Sequence, residues 1–199
     1  PVLDNGELDL EAYAGLLSEK TKLVSVNHVS NSLGTINPVA EIIRQAHEVG
    51  AVVLIDGAQA TSHLTIDVQA LDADFYTFSA HKLYGPTGIG VLYGKRALLE
   101  AMPPYMGGGE MIKEVTFEKT TYNDLPYKFE AGTPNIADVV ALKTALDYIA
   151  DLGKENIAAY ENHLLRYGTE KLSEIEGLRI VGQAREKISV ISFVLDGIH

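Results

Sequence analysis

A continuous apolar run, Ala51-Val52-Val53-Leu54-Ile55, ends directly in the polar sequence Asp56-Gly57-Ala58-Gln59. An uninterrupted run of this kind is typical of a strand that is covered on both faces. Ligands of open α/β sheets bind beyond the carboxyl ends of the strands, which is where this run places a carboxylate and an amide. Because Asp-Gly is a common turn dipeptide, a plain strand-to-loop turn remains the simpler interpretation of this feature alone.

Helical and extended patterns alternate around this run. Asp9 is a suitable N-cap for one helix, and Pro38 and Gly50 are placed to begin and end another. In chain order the patterns predict a helix from Leu10 to Leu17, a strand over 22–28, a helix over 39–49, and strands over 51–55, 74–78 and 88–93. This alternation indicates an α/β fold with a largely parallel sheet.

The pattern changes near residue 150. Residues 137–175 are mainly helical with an interruption at Gly153, and two further strands are predicted over 178–181 and 188–194. We therefore predict two units, with the larger α/β domain over 1–150 and the beginning of a small α+β domain over 151–199.

Composition excludes several classes of site and partner. The 199-residue chain has a net charge of −11, which disfavours binding to nucleic acids and anionic membranes, and we expect neither partner. No apolar run approaches the roughly 18 residues that cross a bilayer. The absence of cysteine excludes disulfides and thiolate metal sites from the chain, and we expect a cytoplasmic protein. None of the six histidines pairs at metal-binding helical spacing, so we predict no metal site.

A second polar cluster, Ser79-Ala80-His81-Lys82, follows the strand predicted over 74–78 and precedes a Gly-rich turn. It offers a hydroxyl, an imidazole and an amine within four residues. A desolvated lysine amine can react with an aldehyde to form a Schiff base. A surface lysine in a loop is the simpler alternative, since most lysines are exposed.

The two clusters together are more specific than either one. Pyridoxal 5′-phosphate (PLP) requires a lysine for its aldehyde, an acid for its pyridine nitrogen and donors around its phosphate. Asp56 and Lys82 follow consecutive predicted strands, and Ser79 and His81 are placed to face a phosphate. The glycines at 85, 88 and 90 form neither a dinucleotide-binding fingerprint nor a P-loop.

Four motifs, at 29–35, 56–59, 79–88 and 129–135, stand in the order and spacing of one family. They are Val29-Ser30-Asn31-Ser32-Leu33-Gly34-Thr35, Asp56-Gly57-Ala58-Gln59, Ser79-Ala80-His81-Lys82-Leu83-Tyr84-Gly85-Pro86-Thr87-Gly88 and Phe129-Glu130-Ala131-Gly132-Thr133-Pro134-Asn135. The chain resembles the SUF-type cysteine desulfurases and selenocysteine lyases, which are class V aminotransferase-like enzymes. The resemblance covers essentially the whole chain. It implies PLP fold type I, with residues 1–150 forming the C-terminal part of the PLP-binding large domain.

The resemblance also implies roles for individual residues. Lys82 would bind the PLP aldehyde covalently and move protons at the substrate α-carbon. Asp56 would pair with the pyridinium nitrogen, and Gln59 would donate a hydrogen bond to the phenolic oxygen. Asn31 would lie beside the cofactor and the substrate carboxylate.

Phosphate binding and the partners follow from the same resemblance. Ser79 and His81 would bind the phosphate. Thr133 resembles the family residue that reaches the phosphate of the partner subunit, which implies a homodimer with shared active sites. The substrate would be L-cysteine or L-selenocysteine, and the sulfur would pass to an acceptor protein and on to iron–sulfur cluster assembly.

The chain departs from the family pattern in lacking the cysteine that carries the persulfide. In the family this cysteine lies on a loop after the strand predicted over 188–194, and a substrate-binding arginine is expected further on. We therefore expect both beyond His199, and we interpret the chain as a fragment that does not desulfurate cysteine by itself. The alternatives are a selenocysteine lyase, a kynureninase-like hydrolase, an aminotransferase, or a non-catalytic fold-type-I domain.

Overall fold

Helices and strands alternate in the first half of the chain, and helices dominate much of the second. The structure is a computed structural model that describes residues 1–198. In chain order its elements are α1 (Leu10–Leu16), β1 (Leu23–Asn27), α2 (Val39–Glu48), β2 (Val52–Asp56), β3 (Phe75–Ser79), the 3-10 helix Ala80–Leu83, β4 (Gly90–Gly94), α3 (Arg96–Ala101), β5 (Ile112–Val115), β6 (Thr120–Tyr122), the 3-10 helix Tyr127–Phe129, α4 (Ile136–Leu152), α5 (Lys154–Ser173), β7 (Leu178–Val181) and β8 (Ser192–Leu195). Within these residues, no helix is both long and apolar enough to cross a bilayer.

The central sheet has the strand order β1-β2-β3-β4. The pairs β1–β2 and β2–β3 are parallel, and β4 runs antiparallel to β3. The prediction of a largely parallel α/β sheet is confirmed. The antiparallel edge strand has a simple cause, because residues 80–89 are fewer than the dozen or more that a parallel crossover needs. The carboxyl ends of β1, β2 and β3 therefore lie along one rim of the sheet.

The core lies between α2 and the sheet. Val39, Ile43 and Ala46 of α2 pack against Val53 and Ile55 of β2, and all five are buried. Their positions on α2 repeat at helical spacing, so they form one apolar face. Burying each of the larger side chains stabilises the fold by about 1.5–3 kcal/mol. The rim is thus built on the best-packed part of the chain.

Asp74 lies at the amino end of β3, at the opposite end of the strands from this rim. Its buried carboxylate accepts hydrogen bonds of 2.8 Å from the Val53 N–H and the His47 ring and forms a 2.8 Å ion pair with Lys95. Burial opposes ionisation, but the hydrogen bonds from Lys95, His47 and Val53 outweigh it and hold the pKa of Asp74 below its ordinary value. Asp74 therefore ties α2, β2 and the end of β4 together.

The chain after β4 departs from prediction in three places. The β5–β6 hairpin and α3 were not predicted from the sequence. The last strand begins at Ser192, so the prediction of a strand over 188–194 is wrong in its first part. Ile188 instead donates its N–H to the Gly34 carbonyl at 2.9 Å and packs in a separate apolar cluster with Val29 and Ala60.

The two-domain division stays a prediction. The predicted boundary near residue 150 lies close to Gly153, where α4 ends and α5 begins. Gly153 has a φ of +80°, which favours glycine and allows the abrupt change of direction. After it, α5, β7 and β8 provide the helix and antiparallel strands expected of an α+β unit.

Candidate active site

The rim at the carboxyl ends of β1, β2 and β3 gathers most of the predicted site residues. Asp56 is the last residue of β2, and Ser79 is the last residue of β3. Lys82 lies directly beyond Ser79 in the 3-10 helix Ala80–Leu83. Asp56 stands opposite Thr77 in the register of β2 and β3, and neighbouring strands lie about 4.8 Å apart. The fold therefore brings the acid and the amine to adjacent strand ends.

Asp56 is exposed but rigidly held. Its backbone carbonyl accepts the His28 N–H at 2.8 Å, and the following Gly57 N–H donates to the Thr77 carbonyl at 2.8 Å. One carboxylate oxygen, Oδ1, accepts the Ala58 N–H at 2.9 Å. No other residue among 1–198 donates a hydrogen bond to this carboxylate. Its Oδ2 is therefore available to a ligand that carries a proton donor.

Gly57 lies directly on the aromatic ring of Tyr76. A Cβ atom at this position would stand 2.0 Å from Cε1 of that ring, far inside van der Waals contact. Tyr76 is 2% exposed and belongs to the core, so its ring has little room to move. Glycine is needed here because the backbone approaches the ring so closely. The turn after Asp56 therefore packs directly against the rigid, buried ring of Tyr76.

Tyr76 in turn contacts His28, which follows β1. The Tyr76 hydroxyl and the His28 Nδ1 are 3.0 Å apart, and His28 is buried. Burial, and then the negative charge of Asp56, raise the pKa of Tyr76, while burial lowers the pKa of His28. Both groups are consequently neutral at neutral pH. Sequence reasoning missed this pair, because no local pattern links two residues on different strands.

Lys82 is half-buried, and its loop is tightly folded. The Gly85 N–H donates to the Ala80 carbonyl at 3.0 Å, and Tyr84 has a left-handed φ of +59°. Among residues 1–198, no carboxylate forms an ion pair with Lys82. The amine is therefore held near the rim without being neutralised by a neighbouring acid.

The remaining predicted residues differ in their placement. Gln59 and Ser79 are half-buried at the rim, and His81 and Asn31 are exposed on the loops that follow β3 and β1. Thr133 is exposed on the separate segment that precedes α4. The neighbouring residue Gly132 donates its N–H to the Gly109 carbonyl at 2.9 Å, so this segment packs on the glycine loop 107–109. The chain thus places Asp56, Ser79 and Lys82 at the ends of β2 and β3, whereas Asn31 and Thr133 lie on exposed segments after β1 and before α4.

These side chains fit PLP by their chemistry. The Asp56 carboxylate with its available oxygen suits a protonated ring nitrogen, and the unpaired Lys82 amine suits an aldehyde. The hydroxyl of Ser79 and the imidazole of His81 suit a phosphate. Across the described part of the chain, no three His, Cys, Asp or Glu side chains are grouped as metal ligands.

Known proteins resemble the chain in both sequence and structure. Residues 1–199 match the profile of the aminotransferase class-V family. A cysteine desulfurase of Synechococcus elongatus is 58% identical over 197 residues, which cover 99% of this chain and 32% of that protein. A cysteine desulfurase of Dickeya dadantii is 56% identical over 200 residues, covering all of this chain and 48% of that protein.

Two solved structures share the fold. The cysteine desulfurase CsdA of Escherichia coli superposes with a TM-score of 0.91 at 41% identity, covering 96% of this chain and 47% of that one. The apo cysteine desulfurase of Thermococcus onnurineus gives a TM-score of 0.93 at 37% identity, covering 98% and 49%. The chain therefore spans about a third to a half of the length of these relatives. It belongs to the class-V aminotransferase family and has the fold of the PLP-dependent cysteine desulfurases.

Proposed function

We propose that the protein to which this chain belongs is a PLP-dependent cysteine desulfurase that converts L-cysteine into L-alanine. The observation that carries this proposal is the placement of Asp56 and Lys82 on adjacent strand ends of one rim. Relatives that are 56–58% identical over the whole chain and are named cysteine desulfurases support it.

Each rim residue has a distinct task in this proposal. PLP, when bound, supplies an electron sink for the bonds at the substrate α-carbon. Lys82 holds the cofactor before substrate arrives and then accepts and returns the proton at the α-carbon. Asp56 keeps the ring nitrogen protonated, and Gln59 donates to the phenolic oxygen. Asn31 orients the substrate carboxylate.

The surroundings of Lys82 suit both of its tasks. Its half-buried amine has no carboxylate partner among the described residues, so no ion pair has to break before it reacts. The Gly85 N–H bond to the Ala80 carbonyl closes the loop that carries Lys82, so its backbone position is well defined. Ser79, the last residue of β3, and His81, two residues further on, would bind the phosphate of PLP.

Sulfur transfer requires a thiolate nucleophile. The thiolate attacks the substrate sulfur, a new S–S bond forms, and the bond between Cβ and sulfur breaks. The electron pair released at Cβ ends as a C–H bond of alanine after protonation. Because the 199 residues contain no cysteine, the thiol has to come from outside them. We propose that the sulfur then passes to an acceptor protein for iron–sulfur cluster assembly.

A homodimer completes the proposal. An open depression of about 660 Å³ beside the Lys82 loop is lined by Tyr84, Pro86 and the outer face of α4. Tyr84 and Tyr148, which line this depression, are exposed, and Ile136, Val139 and Val140 are exposed on other sides of α4. Exposed apolar surface of this kind marks interaction sites, and a second copy would cover it. Thr133, which is exposed on the segment before α4, then reaches the phosphate of the partner subunit. A cytoplasmic location, without nucleic acid or membrane partners, stays a prediction from composition.

The test is alanine and sulfide production by the whole protein with L-cysteine, PLP and a reducing thiol. We expect Lys82→Ala to lower the rate at least about a thousandfold, because a general acid–base group alone contributes about 10²–10⁴-fold. Lys171→Ala, which removes an exposed lysine of α5, serves as the control and should leave the rate unchanged. Transfer of the amino group to a keto acid, or hydrolysis of kynurenine without cysteine turnover, would favour another class V reaction.

A further inference from the structure

The segment 57–64 connects the Asp56 end of β2 with the interior of the molecule. It consists of two overlapping turns. The Gly57 carbonyl accepts the N–H groups of Ala60 and Thr61 at 2.9 and 3.1 Å, and the Ala60 carbonyl accepts those of His63 and Leu64 at 3.1 and 2.8 Å. Gln59 lies within the first turn, so the position of these turns fixes where its amide stands relative to Asp56.

Helix α5 contacts the far end of this segment through Lys154. The Lys154 Nζ donates to the carbonyls of Thr61 and Leu64 at 2.9 and 3.1 Å. Carbonyls at the end of a helical turn lack partners within the turn, and a lysine is a suitable donor for them. The Lys154 side chain is half-buried, and this burial lowers the pKa of its amine.

A second contact lies two helical turns further along α5. The Glu161 carboxylate is 2.6 Å from the His63 Nδ1, and the side chains of both residues are about four-fifths buried. Residues seven positions apart lie on the same face of a helix, so Lys154 and Glu161 present one face of α5 to segment 57–64. Exposed ion pairs contribute little to stability, but this pair is largely shielded from water.

The opposite side of the segment is also packed. Ala60 is fully buried against Val29 and Ile188, which adjoin the loop that carries Asn31. Segment 57–64 therefore has an apolar contact on one side and two polar contacts from α5 on the other.

We infer that Lys154 and Glu161 are positioning residues for the cofactor site, holding segment 57–64 so that Gln59 and Asp56 meet the PLP ring. This inference rests on the proposed function, because it presupposes that PLP binds at this rim. Neither residue contacts the rim itself. Their effect is transmitted through the two turns of segment 57–64.

The experiment compares Lys154→Met, Lys154→Arg and Glu161→Gln with the parental protein, using the whole protein. Methionine keeps the length of the side chain but removes the donor, while arginine keeps donors for both carbonyls. Lys171→Met, at an exposed lysine of α5 that pairs with Glu174, is the matched control. PLP affinity is measured by absorbance titration at a temperature where circular dichroism shows every variant to be folded.

We expect Lys154→Met, which loses two charged hydrogen bonds, and Glu161→Gln, which makes one hydrogen bond uncharged, each to raise the Kd for PLP at least about tenfold. Lys154→Arg should stay within about threefold of the parental Kd, and the Lys171→Met Kd should be unchanged. An unchanged Kd in Lys154→Met and Glu161→Gln, with only a lowered Tm, would overturn the inference and leave these contacts a purely structural role.

Hydrogen exchange without cofactor provides a readout that does not depend on PLP. We expect Lys154→Met to speed exchange of the amides of segment 57–64 at least about tenfold relative to Lys171→Met. Unchanged exchange would also overturn the inference. A parental protein that does not bind PLP would contradict the proposed function, whereas the exchange data would still decide whether α5 holds the segment.

Discussion

The substitution Gly57→Ala tests the close packing beneath the candidate site. It adds one methyl group to the turn after Asp56 and leaves every polar group in place. The new Cβ would lie 2.0 Å from Cε1, 2.2 Å from Cζ and 2.3 Å from the hydroxyl oxygen of Tyr76. Contacts this short are not tolerated, so either the ring or the turn has to move.

The expected destabilisation by Gly57→Ala depends on how far the Tyr76 ring can move. Tyr76 is 2% exposed and packs in the main core, and its hydroxyl lies 3.0 Å from the His28 Nδ1. Extra methylenes in a packed core cost about 1–3 kcal/mol. Because two ring atoms and the hydroxyl oxygen are affected at once, we expect Gly57→Ala to lower the free energy of unfolding by about 3 kcal/mol.

Gly15→Ala is the matched control for this substitution. Gly15 lies within α1, and a Cβ there would meet no atom within 4 Å. Because alanine is the better helix former, this change should stabilise the protein by up to about 1 kcal/mol. Urea unfolding followed by circular dichroism measures both changes, and the same samples give the PLP affinity. We expect the Kd for PLP to rise only in Gly57→Ala.

A double-mutant cycle with Tyr76→Leu isolates the clash. Removing the ring makes space for the added methyl group, so Gly57→Ala should be markedly less destabilising in the Tyr76→Leu background than alone. Equal costs in both backgrounds, or a Gly57→Ala variant as stable as Gly15→Ala, would refute the reasoning.

Two further predictions concern buried polar groups. Asp74→Asn removes the charge that pairs with Lys95 and should cost about 3 kcal/mol by urea unfolding, whereas Asn at the exposed Asp72 should cost less than about 1 kcal/mol. The depressed folded pKa of Asp74 means that its stabilisation is complete above the unfolded pKa and is lost as pH falls below about 4. The free energy of unfolding of Asp74→Asn should therefore fall less with decreasing pH below that value than that of the parental protein. Tyr76→Phe leaves the buried His28 Nδ1 without its partner and should cost about 1–3 kcal/mol by the same assay, and an unchanged stability would show that water replaces the hydroxyl.

The sequence predicted the sheet well because its strands are strongly apolar. The continuous run at 51–55 forms β2, and the strands predicted around it form β1, β3 and β4 with bounds shifted by a few residues. The β5–β6 hairpin was missed because its strands are short and mostly polar, with no alternation to reveal them. The start of the last strand was misplaced because Ile188 is apolar yet pairs with the Gly34 loop.

The candidate site was predictable only where it follows strand ends. Asp56, Ser79 and Lys82 could be found because polar residues directly follow apolar strands, and the family resemblance assigned their roles. The supporting contacts could not be found in this way. Tyr76 with His28, and Lys154 with the 57–64 turns, join residues far apart in the chain, and neither pair belongs to a local pattern.

The central claim is that Lys82 is the lysine that holds PLP. The most direct measurement is incubation with PLP, borohydride reduction of the product, and peptide mass mapping of the labelled lysine, with Lys82→Ala as the control. We predict that the label lies on Lys82 and that Lys82→Ala lacks both the label and the visible absorption band. A label spread over surface lysines, or a band that persists in Lys82→Ala, would contradict the account.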